Sequence, residues 1–304
     1  MEESRYIERR SFLKTASMGL VALTAGATAS QASSAVKLTI LHTNDVHSRI
    51  DPFDTNHPQF PGQGGASRRS TLIRQIRSQE QNVLVFDSGD IFQGTPYFNI
   101  FLGIPEIRLM NHMGYHAATI GNHEFDGGLL NLSARIGEAS FPFVCTNYNV
   151  TGTPIENQVV PYRVFQAGIL KVGVIGLGIR LEGLVDSKLF GSVVYSDPIE
   201  TGEQYARMLK KDKKCDLVIA LSHLGYEYQN NTVSDKLLAA GTSSIDLILG
   251  GHTHTFLNEP VNIKNREGKN VLICQTGWGG VKLGRIDLLF LPGTSKKSFM
   301  ISLM

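Results

Sequence analysis

The chain has 304 residues, 42% of them hydrophobic and 18% charged, with 29 basic and 27 acidic side chains and a formal net charge of +2. That length and apolar content allow one large domain or two small ones around a buried core, and they exclude a disordered or collagen-like chain. A body so close to neutral carries no basic stripe, so a nucleic-acid polymer is not an expected partner.

Residues 1–35 read as an export signal. Arg9-Arg10-Ser11-Phe12-Leu13-Lys14 precedes an apolar stretch over 15–27, interrupted by Ser17, Gly19 and Gly26, and small residues follow as far as Ala35. The apolar middle is shorter than the roughly 20 residues a membrane span needs. The paired arginines followed by Phe-Leu-Lys resemble a twin-arginine signal. The expectation is a bacterial protein exported to the periplasm, mature from about Val36, with no membrane span.

Beyond the signal, residues 37–42 read as a first strand. Residues 66–79 follow as an amphipathic helix, with Leu72, Ile73 and Ile76 on one face and Arg68, Arg69, Arg74 and Arg77 largely on others. Next come a strand at 83–86, a helix at 99–113, a strand at 117–120 and a helix at 127–139. Strands at 143–147, 162–165 and 171–177 stand together. A helix at 200–211, a strand at 217–221, a short helix at 235–240 and a strand at 245–249 restore the alternation. Strands at 271–275 and 282–290 close the series. Alternation of this kind argues for an α/β fold, and the consecutive strands make its sheets mixed. The Pro/Gly-rich loop 51–65 follows the first strand and is placed to rim a site. Cys145, Cys215 and Cys274 are odd in number and widely spaced, without a CxxC pair, so they read as buried core.

Five apolar runs end in residues able to bind metals. They are Leu41-His-Thr-Asn-Asp45-Val-His47, Val85-Phe-Asp-Ser-Gly89-Asp90, Ile120-Gly-Asn122-His123-Glu124-Phe-Asp126, Ala220-Leu-Ser-His223 and Leu249-Gly-Gly-His252-Thr-His254. Ligands of open α/β sheets gather outside the carboxyl ends of strands, so the five loops should converge. Gly89, Gly121, Gly250 and Gly251 are placed to let the backbone turn just before the ligands. The pairs Asp45/His47 and His252/His254 share a face if their segments are extended. Imidazoles mixed with carboxylates suit zinc, iron, manganese or nickel better than calcium or magnesium. Asp45, His47, Asp90, Asn122, His223, His252 and His254 are too many for one tetrahedral ion and suit two ions sharing a carboxylate. Any one of these boxes alone is commonly a turn or a surface feature; the ordered set of five carries the argument. His57, His112 and His116 read as packing, loop or helix-surface residues; so does His42, which as the nearest of the four to the site is also a candidate to support its ligands.

Asp45-x-His47, Gly89-Asp90, Gly121-Asn-His-Glu124, His223 and Gly251-His-x-His254 together resemble the calcineurin-like metallophosphoesterase superfamily. Leu41-His-Thr-Asn-Asp-Val-His47, Gly89-Asp-Ile-Phe-Gln-Gly-Thr-Pro96 and Gly121-Asn-His-Glu-Phe-Asp126 resemble its bacterial periplasmic 5′-nucleotidase branch, and the match runs over 37–291. The resemblance implies a four-layer α/β/β/α sandwich of two mixed sheets over 36–304 and an exported phosphoric ester hydrolase. It also implies two divalent transition-metal ions (zinc, manganese, iron or cobalt). One is then held by Asp45, His47, Asp90 and His254, the other by Asp90, Asn122, His223 and His252. Two dications roughly 3.5–4 Å apart polarise a phosphoryl oxygen and make bound water acidic enough to attack near neutral pH. His123 becomes the catalytic residue facing the phosphate, with Asp126 orienting it and keeping it protonated and Glu124 in support.

Relatives of that branch continue into a second domain whose arginines and aromatics clamp the base, whereas this sequence ends at Met304. The expectation is therefore a catalytic domain without its nucleotide-binding domain, with a second polypeptide docking near 51–65, 95–99 and 277–280, where Trp278 lies. Two other functions compete. A sulfur-ester hydrolase of the same family is disfavoured by the intact Asn122-His123-Glu124-Phe-Asp126 box. A non-catalytic binding module would be favoured by a lost ligand, and none is lost.

Overall fold

Strands buried on both faces read as continuous apolar runs, and such runs form the centre of this fold. The computed structural model describes residues 35–290 and, as backbone, 297–303; the expected export signal lies outside the described residues. β1 (Val36–Thr43), β2 (Val83–Asp87), β3 (Ala117–Ala118) and β4 (Phe143–Val144) lie parallel and adjacent. They are joined through α1 (Ala66–Gln79), then α2 (Pro96–Phe101) and α3 (Ile104–Met113), then α4 (Gly128–Glu138). β5 (Tyr148–Asn149) leaves this sheet, and β6 (Val159–Val160) returns to it beside β4. β7 (Tyr162–Ala167) and β8 (Leu170–Gly178) form a hairpin that begins a second sheet. After α5 (Ser187–Phe190), β9 (Val194–Tyr195) pairs with β5. α6 (Pro198–Lys211), β10 (Leu217–His223), α7 (Asp235–Gly241) and β11 (Leu247–Leu249) extend the second sheet in parallel, and β12 (Val261–Lys264) and β13 (Asn270–Cys274) complete it. β14 (Gly284–Phe290) crosses back to run antiparallel to β1, with β15 (Lys297–Leu303) outside it. The sheet orders are β15-β14-β1-β2-β3-β4-β6 and β12-β13-β11-β10-β8-β7.

Side-chain alternation divides the core into layers. Leu38 and Ile40 of β1 share one buried cluster with Leu217, Ile219 and Leu221 of β10, which fills the space between the sheets. From the other face of the first sheet, Leu41 and Val85 pack on Ile73, Ile107 and Leu132 of α1, α3 and α4. From the other face of the second, Val218 and Ala220 pack on Leu209 and Leu238 of α6 and α7. Each fully buried Leu or Ile contributes about 1.5–3 kcal/mol of transfer free energy. The result is the expected four-layer α/β/β/α sandwich of two mixed sheets. α6 begins at a strong local signal: the Asp197 carboxylate accepts the N–H groups of Ile199 and Glu200 while Pro198 takes the first turn.

Three expectations need correction. The helix expected over 99–113 is two helices, α2 and α3, broken where Leu102 and Gly103 both turn left-handed (φ 51° and 89°). A Cβ on Gly103 would press into the Phe92 ring, so the break is built around a packed aromatic. Arg69 is not on an outer face of α1 but is buried with Ala66, Ile73 and Ile76, which share its helical repeat. His42 sits on the inter-sheet side of β1 beside Leu38 and Ile40; neither ring nitrogen has a hydrogen-bond partner among the described residues, and burial lowers its pKa to about 3. It therefore packs as a neutral imidazole. The three cysteines are free and buried. No helix of the described residues is long and apolar enough to cross a membrane.

Candidate metal centre

The loops that follow β1, β2, β3 and β11, together with the last residue of β10, bring all seven candidate ligands into one cluster. Asp45, His47 and His254 place ligand atoms within 4.8 Å of one another, and so do Asp90, His223 and His252. His47 Nε2 lies 2.9 Å from His254 Nε2 and 3.9 Å from both Asp45 Oδ1 and Asp90 Oδ2. His223 Nε2 is 3.0 Å from Asp90 Oδ2, His254 Nε2 is 3.5 Å from Asp45 Oδ1, and Asn122 Oδ1 is 2.9 Å from His252 Nδ1. Asp90 reaches both halves. A third grouping, His47, Asp90 and His123, also meets the 4.8 Å limit.

The convergence does not come from extended segments. Asp45, His47, Asp90, His252 and His254 all have left-handed backbones, with φ between 49° and 73°, so neither i, i+2 pair lies on a strand. Non-glycine residues in this region are uncommon and persist where the surroundings hold them. Here the loops hold one another: Asp45 N–H donates to Gly89 O at 2.9 Å, His47 N–H to Asp90 O at 3.0 Å, and Gly279 N–H to Asp45 O at 2.7 Å. His252 and His254 consequently serve different groups. The glycines also need a second reading. Gly89 turns with φ 87°, but Gly121, Gly250 and Gly251 have no positive φ and instead leave room. A Cβ would collide with Asp90 Oδ1 at Gly121 and with Asp235 Oδ2 at Gly250.

The donor set fits cations. His223 Nε2 is fully buried and has no hydrogen-bond partner among the described residues, although it faces Asp90, while its Nδ1–H donates to Ser88 O at 2.7 Å and fixes the ring. Burial opposes charge on both partners, but their attraction overrides it, holding the Asp90 carboxyl well below its usual range and His223 up at about 10. Burial lowers His252 to about 4 and also lowers His47, which favours the neutral, ligating imidazole.

Three further groups hold the ligand loops in place: Glu124, expected in support, and Asn44 and Gln275, which escape sequence reasoning. The Glu124 carboxylate accepts the backbone N–H groups of Asp90, Ile91 and Gly121 at 2.9, 2.7 and 2.6 Å. Burial first, and the Asp90 charge second, push its pKa up to about 7. Asn44 Nδ2 donates to Asp45 Oδ2 and to Gly277 O, both at 2.6 Å, and Asn44 Oδ1 accepts the N–H of Thr276. Gln275 Nε2 donates to Gly251 O at 2.6 Å. The available signal was polar residues beside the ligand boxes at the ends of apolar runs.

His123 Nδ1 lies 2.7 Å from Asp126 Oδ2, and that hydrogen bond raises its pKa. His123 lines a cavity of about 290 Å³ together with His47, Arg49, Gln93, His254 and Trp278. Trp278 is half-buried and stacks on His254 with ring centroids 5.8 Å apart. Phe53 and Phe60 of loop 51–65 pack against Trp278, so that loop does rim the site.

A four-layer sandwich carrying an Asp/His/Asn donor cluster at its strand ends defines a metal-dependent hydrolase class. Residues 38–256 match the calcineurin-like phosphoesterase family, and the chain belongs to it. Members of this family are metal-dependent phosphoester hydrolases with a dinuclear divalent metal site. The chain is 34% identical over 281 residues to the snake venom 5′-nucleotidase of Gloydius brevicauda, covering 86% of this chain and 46% of that one. It is 32% identical over 290 residues to the 5′-nucleotidase of Homo sapiens, covering 88% and 49%. It is similar in structure to a 5′-nucleotidase precursor from Thermus thermophilus, with a TM-score of 0.80 and 30% identity over 88% of this chain and 54% of that one. The chain thus spans about half the length of the curated relatives it matches.

Proposed function

We propose that this chain is a dinuclear-metal phosphoric ester hydrolase of the 5′-nucleotidase type, acting on phosphomonoesters. The observation that carries this reading is that His47 and His254 of a two-lobed donor cluster and a carboxylate-paired histidine line the same cavity. Asp45, His47, Asp90 and His254 would hold one metal, and Asp90, Asn122, His223 and His252 the other. When bound, two divalent ions polarise the phosphoryl oxygen and acidify water. Only Asp45 and Asp90 bring formal negative charge to the cluster, so the loaded cavity keeps a positive excess that attracts a phosphate dianion. Asp126 holds the Nδ1–H side of His123, leaving Nε2 to donate a proton toward the leaving oxygen.

Nucleotide substrates are supported by the names of the relatives, and transition metals by the imidazole-rich donor set. Residues 36–304 would act as one catalytic domain. Export is supported by Arg9-Arg10 and the apolar run behind it, and by relatives named as a venom enzyme and a precursor. The expected second polypeptide has no support in these observations. The deciding experiment is a screen of the purified chain against phosphomonoesters, diesters and nucleotides at measured metal content. Phosphomonoester hydrolysis that tracks metal load supports the proposal; a fully loaded chain inert toward all of them refutes it. For export, changing Arg9 and Arg10 to Lys should retain precursor in the cytoplasm, and normal export of that variant would exclude the twin-arginine route.

A further inference from the structure

One cation on the wall of the site cavity has no part in the metal cluster. His47 and His254 are candidate ligands and His123 is the candidate proton donor, whereas Arg49, which lines the same space, is none of these. Arg49 follows His47 by two residues in the loop after β1, and its N–H donates to Val46 O at 3.1 Å. Ser48 between them is buried and donates its N–H to Ile91 O at 2.8 Å, which ties this turn to the loop that carries Asp90. The arginine therefore stands on the same fixed turn as a candidate ligand.

Its guanidinium is held in place and left unmatched. The guanidinium carbon lies 4.2 Å above the ring of Phe53, which is buried and packs edge-on against Trp278 at 5.3 Å. A guanidinium stacked on a fixed ring keeps its N–H groups free at the edges of the plane. Other arginines with little exposure are matched: Arg285 by Glu80 and Asp287, Arg135 by Glu138, and Arg77 by the carbonyls of Met113 and Gly114. Arg49 forms no ion pair among the described residues, and its buried Nε has no hydrogen-bond partner there. The nearby Asp51 carboxylate accepts the Tyr97 O–H at 2.8 Å instead. Among the described residues no carboxylate lines the site cavity, so nothing inside it competes for the cation.

We infer that Arg49 separates phosphomonoesters from phosphodiesters, its guanidinium donating to a terminal oxygen of the phosphoryl group. A monoester near neutral pH presents three terminal oxygens and up to two negative charges. A diester presents two oxygens and one charge, because its third position carries the second alcohol. A planar fork fixed at the cavity wall gains from the extra oxygen and the extra charge, and so favours the monoester. This deepens the hydrolase reading above and rests on it for placing the phosphoryl group in this cavity.

Arg49→Met removes the charge and keeps an unbranched stem to lie on Phe53. Inorganic phosphate and dimethyl phosphate are titrated by calorimetry into metal-loaded wild type and variant at equal metal content. Phosphate affinity should fall at least about tenfold in the variant, as for a lost hydrogen bond to a charged group, and that of dimethyl phosphate less than about threefold. The ratio of kcat/KM for p-nitrophenyl phosphate to that for bis(p-nitrophenyl) phosphate should likewise fall at least about tenfold. Arg49→Lys keeps the charge without the fork and should recover part of both losses; it also carries the test should the methionine variant unfold. Weaker phosphate binding in a variant of a chain that hydrolyses no ester would keep Arg49 as the anion contact and sink the hydrolase. Hydrolysis with both ratios unchanged, whether because nothing falls or because monoester and diester fall together, would overturn the inference and leave Arg49 as a prop for Phe53.

Discussion

Glu124 holds Asp90 by its backbone: Oε2 accepts the Asp90 N–H at 2.9 Å, while Oε1 accepts the next N–H, that of Ile91, at 2.7 Å. A fully buried side chain thus fixes the loop that carries the candidate bridging ligand. A carboxamide has one acceptor oxygen where the carboxylate has two, so Glu124→Gln leaves a buried donor unmet at a cost of about 1–3 kcal/mol. The expected outcome is a lower denaturation midpoint in the metal-free protein together with weaker metal retention. Unchanged values for both would mean the loop does not depend on this carboxylate.

Asp90→Ala should reduce bound metal at both lobes, because the carboxylate stands within reach of His47 and of His223. Elemental analysis of the wild-type chain should give two ions, and of the variant less than one. A fully active wild-type preparation holding at most one ion would exclude a dinuclear centre.

His123→Ala should leave metal content near wild type and lower turnover by roughly 10²–10⁴-fold, the range for losing a positioned proton donor. Asp126→Asn should cost less, since it misorients the imidazole without removing it. The grouping of His123 with His47 and Asp90 makes the contrary result informative. A variant stripped of one metal would make His123 a ligand.

Asp235 offers a test in the pH dependence of folding. Burial raises its carboxyl pKa from 3.8 to about 8, although the Ser222 hydroxyl donates to it at 2.6 Å. The folded chain therefore holds a proton that the unfolded chain releases, and stability falls as pH rises from about 4 to about 8. Asp235→Asn removes that dependence. Urea midpoints of metal-free protein at pH 5 and pH 8 should drop further in wild type than in the variant; Asp87 and Glu124, both raised by burial to about 7, contribute equally to the two proteins. Equal drops would show that Asp235 is ionised in the folded state.

The long strands and helices were legible because their residues repeat. Runs such as 217–221 are apolar throughout since both faces are covered, and Ala66–Gln79 carries a helical stripe. β5, β6 and β9 are two residues each, too short to show any period, and exist because neighbouring strands offer them partners. Arg69 broke the pattern for a related reason: its helical position points inward, and composition alone cannot show that a buried arginine is tolerated there.

For the site, the sequence by itself determined the chemistry. The types, order and placement of Asp45, His47, Asp90, Asn122, His223, His252 and His254 at strand ends follow from local patterning, and so does the His123–Asp126 spacing that one 3₁₀ turn converts into a 2.7 Å contact. Only the tertiary structure decided how those groups meet. Five of the seven stand on left-handed backbone that no local propensity favours, held because each loop donates its N–H groups to another loop. The same is true of Glu124, Asn44 and Gln275, whose partners lie up to 233 residues away.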